Sequence, residues 1–417
     1  MGLHASRTRR PQMLARLTAL ALLVPALTVA EPPGAVIPAE AAPVIIDGCE
    51  VDVTFAGGGE LSSTQLGPST ANPSHVEVFK VADDCVVKFL QTDIEFVWNF
   101  PGHVTAFEAL VVGGGGAGAK GGGGAGGFYE TYSDESLPAV AVPDSATSAT
   151  IFVGKGGTAN EVNSGNGIGA DGFSSGIVFD TYGTAKNWLA ASTGCSGSSP
   201  GEVSADAIVM PGGGGGGREV GGGCRGGSGG GGVSGYSTSV FGGGGPFYAV
   251  DGENFGSRGG AVGGNAGDFD SGIRAGAGGG GAGGQGPDID YVTADSISGG
   301  DGRTSSITGT STWYAAGGGG AKRQGGSISL RASGIGGRGQ ATKQSDADGL
   351  RGSGGGGAFQ TGQQIGNGGS GVVVVRFAPP PVEPAPVLGS VIRAVGGFTA
   401  EITNFAAVDA VVDATEE

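Results

Sequence analysis

Histidine, charge and aromatic side chains are all scarce in this sequence, and each scarcity removes a class of function. Only three of 417 residues are histidine, and beyond the N-terminal leader just His75 and His103 remain, with no H-E-x-x-H or comparable metal-ligand spacing. A zinc hydrolase would lack its ligands, and His103, in a Pro-Gly-His stretch, reads as a surface turn residue. Gly154-Lys155 has neither the Ser or Thr nor the spacing of a phosphate-binding P-loop. Charged residues are 14% and aromatic residues 7% of the chain, well below ordinary globular usage. Beyond the leader, no apolar run approaches the roughly 18 residues that a membrane span needs. Helical periodicity is missing as well, which leaves strands as the means of building a core.

What is present begins with a leader. Arg7, Arg9, Arg10 and Arg16 precede an apolar run from Leu17 to Val29, and small residues follow around Ala30. This is the order of a secretory signal peptide, 1–30, with cleavage after Ala30 or after Ala41. It predicts a secreted, extracellular or cell-surface location. The formal charge of −16 becomes −20 once those four arginines are removed with no acid. So acidic a chain is a poor partner for nucleic acid or an anionic membrane. Four cysteines, Cys49, Cys85, Cys195 and Cys224, remain in an oxidising compartment and predict two disulfides. Three pairings are possible. Proximity favours Cys49 with Cys85 and Cys195 with Cys224, each worth ~3–4 kcal/mol.

Residues 31–44 are rich in Pro and Ala and read as a disordered leader. From 45 to 106 apolar residues alternate: Val51, Val53 and Phe55, then Val76, Val78 and Val81, then Cys85 to Leu90 and Ile94 to Phe100. Such period-two runs are strands. From 107 to 377 glycine dominates, with 84 of the 95 glycines between residues 113 and 371. Apolar islands interrupt it at 127–132, 139–142, 149–153, 176–179, 188–191 and 371–377. The most economical arrangement pairs the opening strand 107–112 with the closing strand 372–377, at one edge of a β-sandwich. A Pro-rich linker occupies 378–389, and 390–417 reads as a partial β-repeat or a disordered tail.

The opening strand runs into Gly113, Gly115 and Gly118, a literal G-x-G-x-x-G. A dinucleotide site needs a helix next. Here Lys120 is followed by Gly121 to Gly124, and glycine disfavours a helix by about 1 kcal/mol per residue. No nucleotide site is expected. Collagen is excluded too, because tetraglycine runs such as Gly242 to Gly245 break any Gly-X-Y period. Retaining glycine at an entropic cost of about 0.5–1 kcal/mol each makes sense where backbones approach closely. Chains in a three-residue-per-turn helix can lie side by side and hydrogen-bond to one another. On that expectation, Gly113 to Gly127 as one straight run would reach about 45 Å.

Residues 86–118, VVKFLQTDIEFVWNFPGHVTAFEALVVGGGGAG, with the later GGFYETYS, TIFVGKGG and GGSGVVVVRF, resemble the glycine-rich domain of bacterial surface proteins and phage tail adhesins. A similar domain sits in the ectodomains of anaplastic lymphoma kinase and leukocyte tyrosine kinase. The resemblance spans roughly residues 85–377. It implies an all-β fold: a jelly-roll or TNF-like β-sandwich carrying long glycine-rich insertions as a polyglycine-II helix bundle. It implies no enzyme and no cofactor. The end of the chain resembles the first strands of small β-repeats on actinobacterial surface proteins.

Paired acids, Asp83 with Asp84, Asp268 with Asp270, Asp288 with Asp290 and Asp346 with Asp348, fit no EF-hand or calcium nonapeptide pattern and read as solvated loop acids, with no metal expected. Tyr236, Phe241, Phe247, Tyr248 and Phe255 lie between glycine runs; they suit stapling of the bundle ends, or an adhesive tip in which Tyr236, Phe247, Tyr248 and Phe255 are binding-loop aromatics. The sequence therefore points to a non-catalytic scaffold of adhesion type, with an unknown surface protein or glycan as partner. The alternatives are an ice-binding protein and a polysaccharide-active surface protein; the scattered Arg218, Glu219, Lys322 and Arg323 argue against a flat ice-binding face.

Overall fold

The computed structural model describes residues 44–57, 59–61, 75–133, 137–159, 169–183, 201–217, 222–233, 262–263, 276–287, 289–290, 298–321, 334–339, 347, 349–358 and 365–381. All of them belong to one compact unit, and no helix occurs among them. The signal segment, the strand expected at 188–191 and residues 390–417 lie outside the described residues.

In chain order the strands are β1 (Val44–Ile46), β2 (Cys49–Phe55), β3 (Gly59–Glu60), β4 (Val76–Val81), β5 (Asp84–Phe89), β6 (Glu95–Asn99), β7 (Ala106–Val112), β8 (Phe128–Glu130) and β9 (Val140–Ala141). They continue as β10 (Ser148–Phe152), β11 (Ser175–Phe179), β12 (Glu202–Val203), β13 (Ala207–Met210), β14 (Val262–Gly263), β15 (Ile289–Asp290), β16 (Arg303–Ser305), β17 (Thr312–Tyr314) and β18 (Val372–Phe377). An eight-stranded sheet runs β1-β2-β6-β10-β11-β13-β12 with β3 on β2. A six-stranded sheet runs β4-β5-β18-β7-β8 with β9 on β7. Every pairing within these two sheets is antiparallel. Each sheet joins strands that precede residue 106, grouped at one end, to strands that follow it.

The opening strand β7 pairs with the closing strand β18, Val112 facing Val372 and Glu108 facing Arg376. The pair sits in the middle of its sheet rather than at an edge, because β18 also takes β5 on its other side. That position explains the unbroken apolar run VVVV: Val373, Val375 and Phe377 face one core, while Val372 and Val374 face a second cluster on the opposite side. β2, by contrast, alternates buried and half-buried residues, as a strand covered on one face should.

The inward faces of the two sheets share one hydrophobic cluster. Trp98 on β6 is fully buried at its centre, with ring centroids 5.1 Å from Phe107 on β7 and 5.6 Å from Phe377 on β18. Cys49 on β2 and Cys85 on β5 form a disulfide between the sheets, with Cα atoms 5.6 Å apart, as their proximity in sequence predicts.

The glycine runs leave the sheet ends as extended, non-strand segments. Their hydrogen bonds repeat every three residues. In the first leg, Gly113, Gly116 and Ala119 donate to Gly127, Gly124 and Gly121; Gly114 and Ala117 donate to Phe173 and Ala170; Gly115 and Gly118 donate to Gly369 and Gly366, all at 2.8–3.0 Å. The carbonyls of the same leg accept from other segments again: Gly213 and Gly216, Gly157, and Gly355 and Ala358. The returning leg repeats the scheme, Gly122 and Ala125 donating to Ala277 and Gly280, Gly123 and Gly126 to Gly355 and Gly352, Gly124 and Gly127 to Gly214 and Pro211.

This arrangement corrects the expected straight run of about 45 Å. Residues 113–127 turn back at Ala119–Gly121, so each leg spans only roughly 20 Å. Folding back satisfies every third N–H of the first leg with its own return, which a straight run could not do.

Candidate functional site

Two regions of the described structure can carry function. One is the far end of the glycine array. The reversal at Ala119–Gly121 marks it, and Lys120 is buried there. Around that turn lie the ends of several segments: Lys120 N–H donates to the Gly217 carbonyl, Ala321 N–H to that of Lys120, and Ala358 N–H to that of Ala119. Gly276 N–H donates to the Ala321 carbonyl, and Val233 forms an antiparallel bridge with Gly276. Ala159 packs with Ala358 and Ile365. The sheets lie at the opposite end, where Gly113 and Gly127 continue directly from β7 and into β8.

Tyr236, Phe247, Tyr248 and Phe255 fall within 234–261, outside the described residues, as does Phe241; Cys195, within 184–200, lies outside them too. Cys224 is buried and disulfide-bonded. Of the acid pairs, Asp84 is half-exposed and bound by Arg376 at 2.8 Å, which makes it structural. Among the described residues, no group of three His, Cys, Asp or Glu side chains could hold a metal ion. His103 lies in a turn, as expected, but is half-buried rather than fully at the surface: its ring centre is 6.3 Å from that of Phe377, and its Nε2 is buried with no hydrogen-bond partner among the described residues. The N–H groups of Gly113, Gly115 and Gly118, which a pyrophosphate would require, are all taken by carbonyls of the array.

The second region is an open groove of about 360 Å³ at the sheet end, between β8 and the β16–β17 hairpin. Phe128, Glu130, Ser133, Arg303, Thr304 and Trp313 line it. The hairpin register sets Arg303 opposite Tyr314 and Thr304 opposite Trp313. Glu130 is only 4% exposed. Its Oε1 accepts the Ser133 N–H and the Ser305 hydroxyl, both at 2.8 Å; its Oε2 takes no hydrogen bond from the described residues. The Arg303 guanidinium lies 5.9 Å from the centre of the Phe128 ring and makes no ion pair among the described residues.

The walls of the groove are fixed from behind. Arg376 on β18 donates to Asp84 through Nε at 2.9 Å, donates to the Ile307 carbonyl, and lies 4.2 Å from the centre of the Tyr132 ring. The Thr131 hydroxyl donates to Glu108 and accepts from the Ala109 N–H. Burial pushes the Tyr314 phenol above its ordinary pKa, opposed by the Arg351 charge and by hydrogen bonds from Thr308 and Thr312. Sequence reasoning missed this groove. Phe128, Glu130 and Ser133 belong to the GGFYETYS stretch that carries the family resemblance, but nothing there marks a groove, and Arg303, Thr304 and Trp313 stand in no motif.

The family model of a glycine-rich domain matches residues 91–378, well over half of the chain. No curated protein matches the chain.

Proposed function

Since the chain belongs to the glycine-rich domain family, we propose that it is a secreted or cell-surface, non-catalytic protein of adhesion type, whose glycine-rich part is a rigid scaffold that displays binding loops. In this reading the two sheets form a β-sandwich of jelly-roll type, and the glycine segments a polyglycine-II bundle standing on it. The three-residue hydrogen-bond period supports the bundle, since a polyproline-II-like helix has three residues per turn and turns its N–H and C=O groups outward.

One observation carries the display function. The residues that flank 160–168, 218–221, 234–275 and 359–364 all lie around the Ala119–Gly121 turn, at the end away from the sheets. The intervening sequences therefore start and finish at a common end. The longest of them, 234–275, holds Tyr236, Phe247, Tyr248 and Phe255, and its flanks Val233 and Gly276 bridge each other. Loops held on a stiff base lose little entropy on binding, and aromatic side chains supply the area.

Beads coated with the full chain, its disulfides intact, should adhere to at least one member of a panel of immobilised surface proteins and glycans. Replacing Tyr236, Phe247, Tyr248 and Phe255 together by Ser should reduce adhesion by about tenfold or more without moving the thermal midpoint. Adhesion that survives the replacement, or a wild-type chain that binds nothing on the panel, would end this reading.

A further inference from the structure

We propose that the groove between β8 and the β16–β17 hairpin is a saccharide-binding site that holds one neutral pyranose unit of a larger glycan. It lies at the sheet end of the molecule, away from the turn at Ala119–Gly121, and so is separate from any loops displayed there.

The inference begins with Glu130. The residue is only 4% exposed, and Oε2 is not one of the buried atoms that lack a partner, so the surface it keeps belongs to the groove that it lines. Oε1 is held by Ser133 and Ser305, while Oε2 has no donor among the described residues. The site therefore offers a fixed, strong acceptor to an incoming donor. Arg303 lines the same groove, exposed and without an ion-pair partner among the described residues, and offers a fork of donors. Phe128 and Trp313 complete the lining with two aromatic rings.

These four side chains select among ligand classes. A lone metal ion would find a single carboxylate. A basic peptide would meet Arg303, and an anion would meet Glu130. A neutral sugar fits both charges at once, because each hydroxyl can donate to Oε2 of Glu130 or accept from Arg303. The apolar C–H face of the ring then lies on the indole of Trp313, since the Phe128 ring already carries the Arg303 guanidinium. A groove of about 360 Å³ is at the small end of ligand sites, the size for one ring, and its openness leaves room for the rest of a glycan to extend outward. The Arg376 clamp on Tyr132 and the Ser133–Ser306 pair at 3.1 Å hold the rim in place beforehand, which lowers the ordering cost of binding.

The test uses the full chain with its disulfides intact, titrated with methyl glycosides of the neutral hexoses and N-acetylhexosamines. The indole N–H resonance of Trp313, assigned by its disappearance in W313F, reports occupancy. At least one neutral glycoside should shift it saturably. E130Q keeps the Oε1 acceptor and replaces the free Oε2 by a donor, so it should weaken binding by about tenfold or more. R303A, at an exposed position, should do the same with an unchanged thermal midpoint, and it decides the matter alone if E130Q fails to fold. The proposal is overturned if no neutral glycoside moves the resonance up to roughly 20 mM, if both variants titrate like the wild type, or if a zwitterionic amino acid or a charged peptide binds in preference.

Discussion

At the scale of single residues, glycine is required position by position rather than in bulk. A Cβ placed on Gly115 would fall on the carbonyl oxygen and carbon of Ser353. Both atoms are backbone, so neither can rotate away as a flexible side chain could. Ala117 and Ala125, also fully buried in the array, show that a methyl is accepted where it points between neighbours. The runs are therefore addressed sites. Gly115→Ala should destabilise the protein by about 3 kcal/mol or more, since overpacking against backbone is among the few mechanisms that reach such values. Gly102→Ala is the matched control: nothing lies within 4 Å of its would-be Cβ, and its effect should stay within about 0.5 kcal/mol. Denaturant midpoints of the two variants, measured side by side, separate local geometry from any general cost of replacing glycine. Equal effects would mean that the array tolerates side chains and that its close approach is not what glycine supplies.

At the scale of elements, the Cys49–Cys85 bridge ties β2 of one sheet to β5 of the other across a sequence separation of 36 residues. Closing a loop of that length in the unfolded chain is worth ~3–4 kcal/mol in the chain-entropy account. The C49A/C85A double variant should lose about that much, read as a lower denaturant midpoint with an equal or steeper slope, because the unfolded chain is no longer held compact. A loss under ~1 kcal/mol would show that the Trp98 aromatic cluster already holds the sheets together. Which elements could be read in advance follows from how they are buried. β2 and β4, covered on one face, show their alternation openly. β13, AIVM, does not, because Ile208 and Met210 face the shared core while Ala207 and Val209 face another cluster, and four apolar residues beside a glycine run carry no period. β16 and β17 carry Arg, Thr and Ser, so pairing alone marks them as strands. The groove they help to form was hidden for the same reason: Glu130 and Arg303 stand 173 positions apart in sequence, and only the return of the chain from the array brings them together.

At the scale of the whole molecule, the legs 113–119 and 121–127 are the hub to which the rest of the array is bound. Their partners run from Gly157 through Phe173, Pro211, Gly214, Ala277, Gly280 and Gly355 to Gly369, so the hub is complete only when most of the chain has arrived. Such non-local bonding makes for slow assembly and for shared stability, since opening any one leg breaks bonds to several segments at once. Gly114, Gly115 and Gly116 donate to three different segments, Phe173, Gly369 and Gly124, and in a loosely associated array their amides would open independently. In a cooperative array they open together, with the protection of the core strand they join through β7. Native-state hydrogen exchange on the full chain should therefore give Gly114, Gly115, Gly116 and Gly123 protection free energies within about 1 kcal/mol of one another and close to that of Val374 in β18. Exchange at free-peptide rates, or a graded series in which each amide follows its own partner segment, would instead make the array a set of separate loose strands, too compliant to hold a binding end in place.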